Sequence, residues 1–428
     1  MRKAIIWGGL ALAAVTLPAM AHAANPGFDV EQATRAYLDI LQGPARAKSD
    51  AYFEGGYWLT LWSALIAIAS YLLLLPTGLS ARFRDWSERL VKRRWLQPAI
   101  YAVPFTLAST LIVLPWTIYT GYFREKQYGL MNQSFAAWSG EQAIGLGLGI
   151  LLNMILLTVL FAAIRRFRRT WWIWGAGTMI VFALFGALIA PVFIAPLFNK
   201  YTELPNGPIR DRIVAMARSN AIPADHIYLF DASKQTKRIS ANVSGLGPTI
   251  RISLNDNLLN RTAPNEVAAV MGHEMGHYVL NHVTKMIAMF AAIFLIVFGI
   301  IYRAGPAMIA RHSARWRVRD IADPAATPVL ALMAAVAALV LTPVLNTIVR
   351  INESEADAFG LNVAREPDGF AKVAMRLSEY RKIEPGPIEE MLFFDHPSGA
   401  TRVRMSMQWK KDHVPGATMV KPDLKLDQ

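Results

Sequence analysis

Apolar residues in this chain gather into long unbroken runs. Six of them cover about 57–76, 97–119, 143–164, 171–195, 284–302 and 328–349. Each approaches the ~20 residues that a helix needs to cross a bilayer. One such run also fits a buried helix of a soluble protein, but six in one chain do not. Trp116 with Tyr119, and Trp171 with Trp172, stand near run ends, where amphipathic rings favour the headgroup layer. A seventh, shorter run spans Ala4 to Ala19, after Arg2 and Lys3 and before Ala21-His22-Ala23. Residues 1–23 read either as a secretory signal peptide or as an N-terminal anchor. Residues 24–56 are mixed and polar and read as an extracytoplasmic lead-in. The pattern then divides the chain into four spans over 57–195, a polar segment over 196–283, two spans over 284–349 and a C-terminal segment over 350–428. The expected fold is mainly α, a polytopic membrane helical bundle of about seven hydrophobic segments.

The polar segments carry shorter periodicities. Pro205-Asn206-Gly207-Pro208 marks a turn, Ile209 to Asn220 predicts a helix, and Ile227 to Phe230 predicts a strand. Ser240 to Val243 and Thr249 to Leu254 predict a hairpin joined through Gly245 and Gly247. That hairpin either serves the fold alone or offers an edge strand to an extended peptide. Thr262 and Pro264, with Glu266 in the first turn, mark the start of another helix, and no proline interrupts Glu266 to Lys285.

Composition and charge narrow the class. Of 428 residues, 54% are hydrophobic and mean hydropathy is +0.29, too apolar for an ordinary soluble protein. The absence of cysteine excludes disulfides, a thiolate nucleophile and cysteine metal ligands. A net charge of +13 fits either nucleic acid or cytoplasmic loops beside anionic lipid. Position favours the loops: Arg82, Arg84, Arg89, Lys92, Arg93 and Arg94 lie in one, Arg165, Arg166, Arg168 and Arg169 in another, and Arg303, Arg311, Arg315, Arg317 and Arg319 in a third. The 120–142 loop is balanced. The positive-inside rule places the three basic loops in the cytoplasm, which puts 196–283 and 350–428 outside. Membrane lipid is therefore the expected partner of this charge, and no nucleic acid is expected.

The helix from Pro264 carries Gly272-His273-Glu274-Met275-Gly276-His277. Residues four apart share a helical face, so His273 and His277 can present two imidazoles to one zinc ion. Glu274 beside them is the candidate base for the attacking water. Two histidines by chance is the competing reading. Zinc takes a third protein ligand, and the last span runs into Glu353, Glu355 and Asp357. Glu353 and Asp357 share a face, which suits Glu353 as ligand and Asp357 as partner of a ligand imidazole. A solvated helix end is the alternative. Glu355 turns away and is expected to be dispensable. His396 and Arg402 lie outside any apolar run; they suit stabilisation of an oxyanion, or a structural loop.

Taken together, the chain resembles the integral-membrane zinc metalloproteases typified by the type I CAAX prenyl endopeptidases. The resemblance runs from about Leu114 to Met405 and rests on separated motifs: Leu114-Pro115-Trp116 with Tyr119, Ile194 to Lys200, Gly272 to His277, Glu353 with Ala356-Asp357, and His396-Pro397 followed by Arg402. It implies seven helices enclosing a water-filled chamber, with a zincin-type catalytic domain that here contains the small hairpin. It also implies one zinc per chain on His273, His277 and Glu353, and an active-site asparagine at Asn242. The implied activity is endoproteolysis, which in eukaryotic members removes C-terminal residues after a prenylated Cys; the substrate expected here is a peptide or protein, with or without a lipid. Two features depart from the eukaryotic members: the N-terminal run looks cleavable, and the loop charges put the catalytic side outside, where those members face the cytosol. Both fit a bacterial inner-membrane protein. Rival functions are a quality-control protease of the envelope, or an inactive chamber-type binding protein or transporter.

Overall fold

In a bilayer, backbone polar groups must be satisfied within the segment, and an apolar run does this as a helix. The computed structural model describes residues 25, 27–223, 226–245, 250–419 and 422–426. The expected signal or anchor lies outside these residues, as does Gly247 of the hairpin turn. The first elements are α1 (Val30–Leu38), α2 (Gly43–Leu74), α3 (Leu79–Leu90) and α4 (Gln97–Ile118). A π-helical turn, Tyr119–Phe123, carries α4 into α5 (Arg124–Gln127). Next come α6 (Phe135–Arg166) and α7 (Trp171–Leu184), the latter running through a second π turn, Phe185–Ile189, into α8 (Ala190–Phe193). Then follow β1 (Tyr201–Glu203), α9 (Pro208–Ser219), β2 (Ile227–Phe230), β3 (Ala241–Ser244), β4 (Arg251–Asn255), α10 (Asp256–Arg261) and α11 (Pro264–Val279). The chain ends with α12 (His282–Trp316), α13 (Thr327–Ala364), α14 (Pro367–Leu377), α15 (Pro387–Phe393) and α16 (Gly399–His413).

Six helices among the described residues are long and apolar enough to cross a membrane, and each holds all or all but the last two residues of one of the six runs. Together they enclose an apolar cavity of 740 Å³, lined by Tyr71, Phe105, Leu157, Phe298 and Leu330 among others. The polar stretch expected as a lead-in is structured. Asp29 caps α1 by accepting from the amides of Glu31 and Gln32. Phe28, Tyr37 and Leu38 then pack on Ala371, Met375 and Val403 of α14 and α16. The start of α2 at Gly43 lies well ahead of its apolar run.

The three basic loops meet at one end of the bundle. Buried Arg84 pairs with Asp323 at 2.6 Å, and Arg319 pairs with Glu88 at 2.6 Å. Arg165 donates to the carbonyls of Arg94 (2.7 Å) and Ala322 (3.2 Å). From this end α13 runs back across the bundle and carries Glu353 to the other.

There the polar segments build a four-stranded sheet in the order β1-β2-β4-β3. Strands β2 and β4 are parallel, and β3 pairs antiparallel with β4 as the expected hairpin. Strand β1, three residues long, was not anticipated; only its pairing with β2 gives it a strand's geometry. One face of the sheet packs on α9 and α11 through Ile213, Ile227, Ile252, Leu254, Met271 and Met275. Burial of such side chains stabilises by roughly 1.5–3 kcal/mol each.

Helix α11 also packs on α13, and glycines set the distance. A Cβ on Gly360 would lie 2.7 Å from the His273 amide nitrogen, and one on Gly276 would lie 3.1 Å from the Ala356 Cα. Small residues let two helix backbones approach this closely. The approach brings the histidines of α11 against the acids of α13.

Candidate metal centre

The helical period of α11 places His273 and His277 one turn apart. Their Nε2 atoms lie 3.1 Å from each other. Glu353 completes a triangle: Oε2 is 3.3 Å from His273 Nε2 and Oε1 is 3.4 Å from His277 Nε2. A tetrahedral site with bonds of ~2.0–2.1 Å has edges of about 3.3–3.4 Å. The three donors, two imidazoles and one carboxylate, therefore fit three corners of a zinc tetrahedron in both chemistry and spacing.

The surroundings hold these donors in place. Asp357 is fully buried, with Oδ1 2.7 Å from His273 Nδ1. Buried Arg402 donates through Nε to Asp357 Oδ2 at 2.8 Å and through Nη2 to Glu353 Oε2 at 3.1 Å. His396 Nε2 approaches the same Glu353 oxygen at 3.2 Å, and its Nδ1 lies 2.8 Å from Asp395. Burial alone would discharge His273, but Asp357 and Glu353 override it and raise its pKa to about 10. His277 goes the other way, to about 4, through burial and its charged neighbour His273. Burial pushes Glu274 up to about 7, with His273 opposing.

Glu274, His396 and Arg402 line one 220 Å³ pocket with His273, Glu353 and Asp357. The structure therefore brings together seven of the eight residues singled out from sequence. Asn242 stands on β3 beside Ala241, which lines this pocket; the Asn242 side chain is not among the lining groups. Ile239, Ser240 and Arg381 also line a neighbouring cavity of 1130 Å³, so the two spaces share a wall.

Three neighbours of the site were not read as functional from the sequence. The Arg381 guanidinium makes no ion pair or hydrogen bond among the described residues, and burial and nearby Arg402 lower its pKa. Behind the second imidazole, His277 Nδ1 lies 2.9 Å from His282 Nδ1, and His282 Nε2 lies 3.1 Å from Glu355 Oε2. The available signal for His282 was a histidine five places after His277, but a straight helix would carry that position about 140° round. Asn281, left-handed at φ 55° and ψ 40°, breaks the helix and returns His282 to the site.

Comparisons with known proteins agree with this geometry. Peptidase family M48 matches residues 203–409, and the CAAX prenyl protease N-terminal family, described as five membrane helices, matches 34–200. The metalloprotease YhfN of Bacillus subtilis is 29% identical over 336 residues, covering 78% of this chain and 79% of that protein. The probable CAAX prenyl protease 1 of Schizosaccharomyces pombe is 31% identical over 176 residues. That match covers 41% of this chain and only 37% of the yeast protein. The crystal structure of S. mikatae Ste24p shares the fold, with a TM-score of 0.73 at 20% identity over 88% of this chain and 95% of that one. With its two matched regions, its six spans and its His-His-Glu cluster, the chain belongs to peptidase family M48 as a multi-pass membrane metalloprotease.

Proposed function

We propose that the protein is a zinc endopeptidase with its catalytic side in the bacterial periplasm. The observation that carries the zinc assignment is the triangle of His273, His277 and Glu353, with edges of 3.1, 3.3 and 3.4 Å. Bound there, zinc supplies Lewis acidity to the scissile carbonyl and to the attacking water. Glu274 takes the proton from that water and returns it to the leaving amine. His396 and Arg402, on the pocket wall, steady the negative oxygen of the tetrahedral intermediate. Strand β3 is the sheet edge beside the pocket, and an extended peptide adds to such an edge through backbone hydrogen bonds. Asn242 on that strand is assigned to substrate contact.

The decisive comparison is wild type against Glu274→Gln, both purified in detergent. The variant is expected to keep one zinc per chain and to lose peptidase activity by at least ~100-fold, the usual scale for a proton-transfer group. Substantial turnover by the variant would refute the assignment of the base.

The substrate is proposed to be a peptide or protein for which a lipid is optional. The prenyl specificity named for the yeast relative belongs to a protein of which this chain matches just over a third. The 1130 Å³ cavity beside the site offers room for an unmodified chain. A farnesylated peptide and its unmodified twin should both be cleaved; an absolute requirement for the farnesyl group would refute this.

A further inference from the structure

The two histidines of α11 are held by different devices. His273 meets a carboxylate directly, with Nδ1 2.7 Å from Asp357 Oδ1. His277 meets another imidazole, Nδ1 to Nδ1, at 2.9 Å. Two such nitrogens bond only if one ring donates and the other accepts. The far end of His282 selects which. Its Nε2 lies 3.1 Å from Glu355 Oε2, an oxygen that also accepts from Lys285 Nζ at 2.5 Å. A carboxylate held by a lysine accepts only, so His282 carries its proton on Nε2 and accepts at Nδ1. His277 then carries its proton on Nδ1, and its Nε2 keeps the lone pair that faces His273 and Glu353. The opposite arrangement would put a proton on that Nε2 and block it as a ligand. His282 is 1% exposed, so water does not replace it.

We infer that His282 and Glu355 are positioning residues that fix the tautomer and the ring orientation of His277. The inference rests on the zinc reading of His273, His277 and Glu353. It gives α13 three separate tasks within two turns: Glu353 as ligand, Asp357 behind His273, and Glu355 behind His277 by way of His282. It also replaces the sequence-based expectation that Glu355 is dispensable. Glu355 does turn away from the metal, yet it reaches a ligand through one intervening ring.

The test compares His282→Leu, His282→Asn and Glu355→Ala with wild type. Zinc affinity is measured by competition with a chromophoric chelator, the visible spectrum is recorded with cobalt in place of zinc, and melting of each metal-free protein is followed. Partners of this kind typically change metal affinity ~10–100-fold, and His282→Leu is expected in that range with an altered cobalt spectrum. Glu355→Ala, at a side chain 43% exposed, is expected to weaken zinc by a smaller factor and to leave metal-free melting unchanged. His282→Asn, whose amide oxygen can stand where the ring Nδ1 accepts, should recover most of the loss. Wild-type zinc affinity in both His282→Leu and Glu355→Ala would overturn the relay. So would losses in Glu355→Ala matched by an equal fall in metal-free melting, or an Asn variant no better than Leu. Should His282→Leu fail to fold, Glu355→Ala and His282→Asn decide by the same readings. A wild type that holds no stoichiometric zinc would refute the metal site itself, a different result from a relay that does nothing.

Discussion

At the scale of single residues, the proposed roles separate groups that would hold a metal from groups that would act on water. Glu353→Ala removes one corner of the donor triangle and should abolish stoichiometric zinc. Asp357→Ala leaves the triangle intact but frees His273 Nδ1 and strands Arg402 Nε, so zinc should weaken by ~10–100-fold. Metal analysis and chelator competition on both purified variants check this order. Glu274 sets a pH prediction. Burial raises its carboxyl to about 7, with His273 opposing. A base acts ionised, so its contribution is complete above its pKa and fades as pH falls through it. A bound dication favours the carboxylate further, so the acid limb of kcat/KM should lie at or below about 7. A profile falling as pH rises through that range would contradict the role. The grouping of His273, His277, Glu353 and Asp357 was legible because residues four apart on a helix must share a face, whichever way the helix is packed. His282 and Arg381 were not, because their positions depend on a backbone break at Asn281 and on the loop after α14, and neither leaves a period in the sequence.

At the scale of elements, the contact of α11 with α13 makes the site. Gly360→Ala would set a methyl 2.7 Å from the His273 backbone nitrogen, so the helices must separate. Overpacking of this kind typically costs about 1–3 kcal/mol, and here it also stretches the donor triangle. Weaker zinc binding and earlier melting are expected for Gly360→Ala. Gly140→Ala, where the new methyl meets nothing within 4 Å, should match wild type in zinc binding. Equal behaviour of the two variants would show that helix spacing does not control the metal. The six spans were legible because uninterrupted apolar runs leave the chain one way to satisfy its backbone. Strand β1 was hidden by its length of three residues. The Gly272 and Gly276 spacing was visible in the sequence, but its meaning waited on the partner helix.

At the scale of the whole molecule, charge and chemistry sit at opposite ends. The loops bearing Arg84, Arg165 and Arg319 converge where α12 ends and α13 begins, and the donors lie where α12 begins and α13 continues past its apolar run. A helix of 35 residues spans ~50 Å, so the two ends are separated by more than a bilayer's apolar thickness. With the basic end held in the cytoplasm, alkaline phosphatase fused after Lys200 or at the C-terminus should be active. Activity of only cytoplasmic reporters at those points would reverse the orientation. The same layout bears on how the protein is made. Helix α11 supplies two donors, but Glu353 arrives only after α12 and α13 have been synthesised and threaded as a pair. A nascent chain that ends at Trp316 has its base and both histidines yet lacks a corner of the triangle. On the proposed ligand set, proteolytic competence would therefore wait on α13, after the final membrane hairpin is in place, and a chain ending before it could not hold the metal as a complete one would.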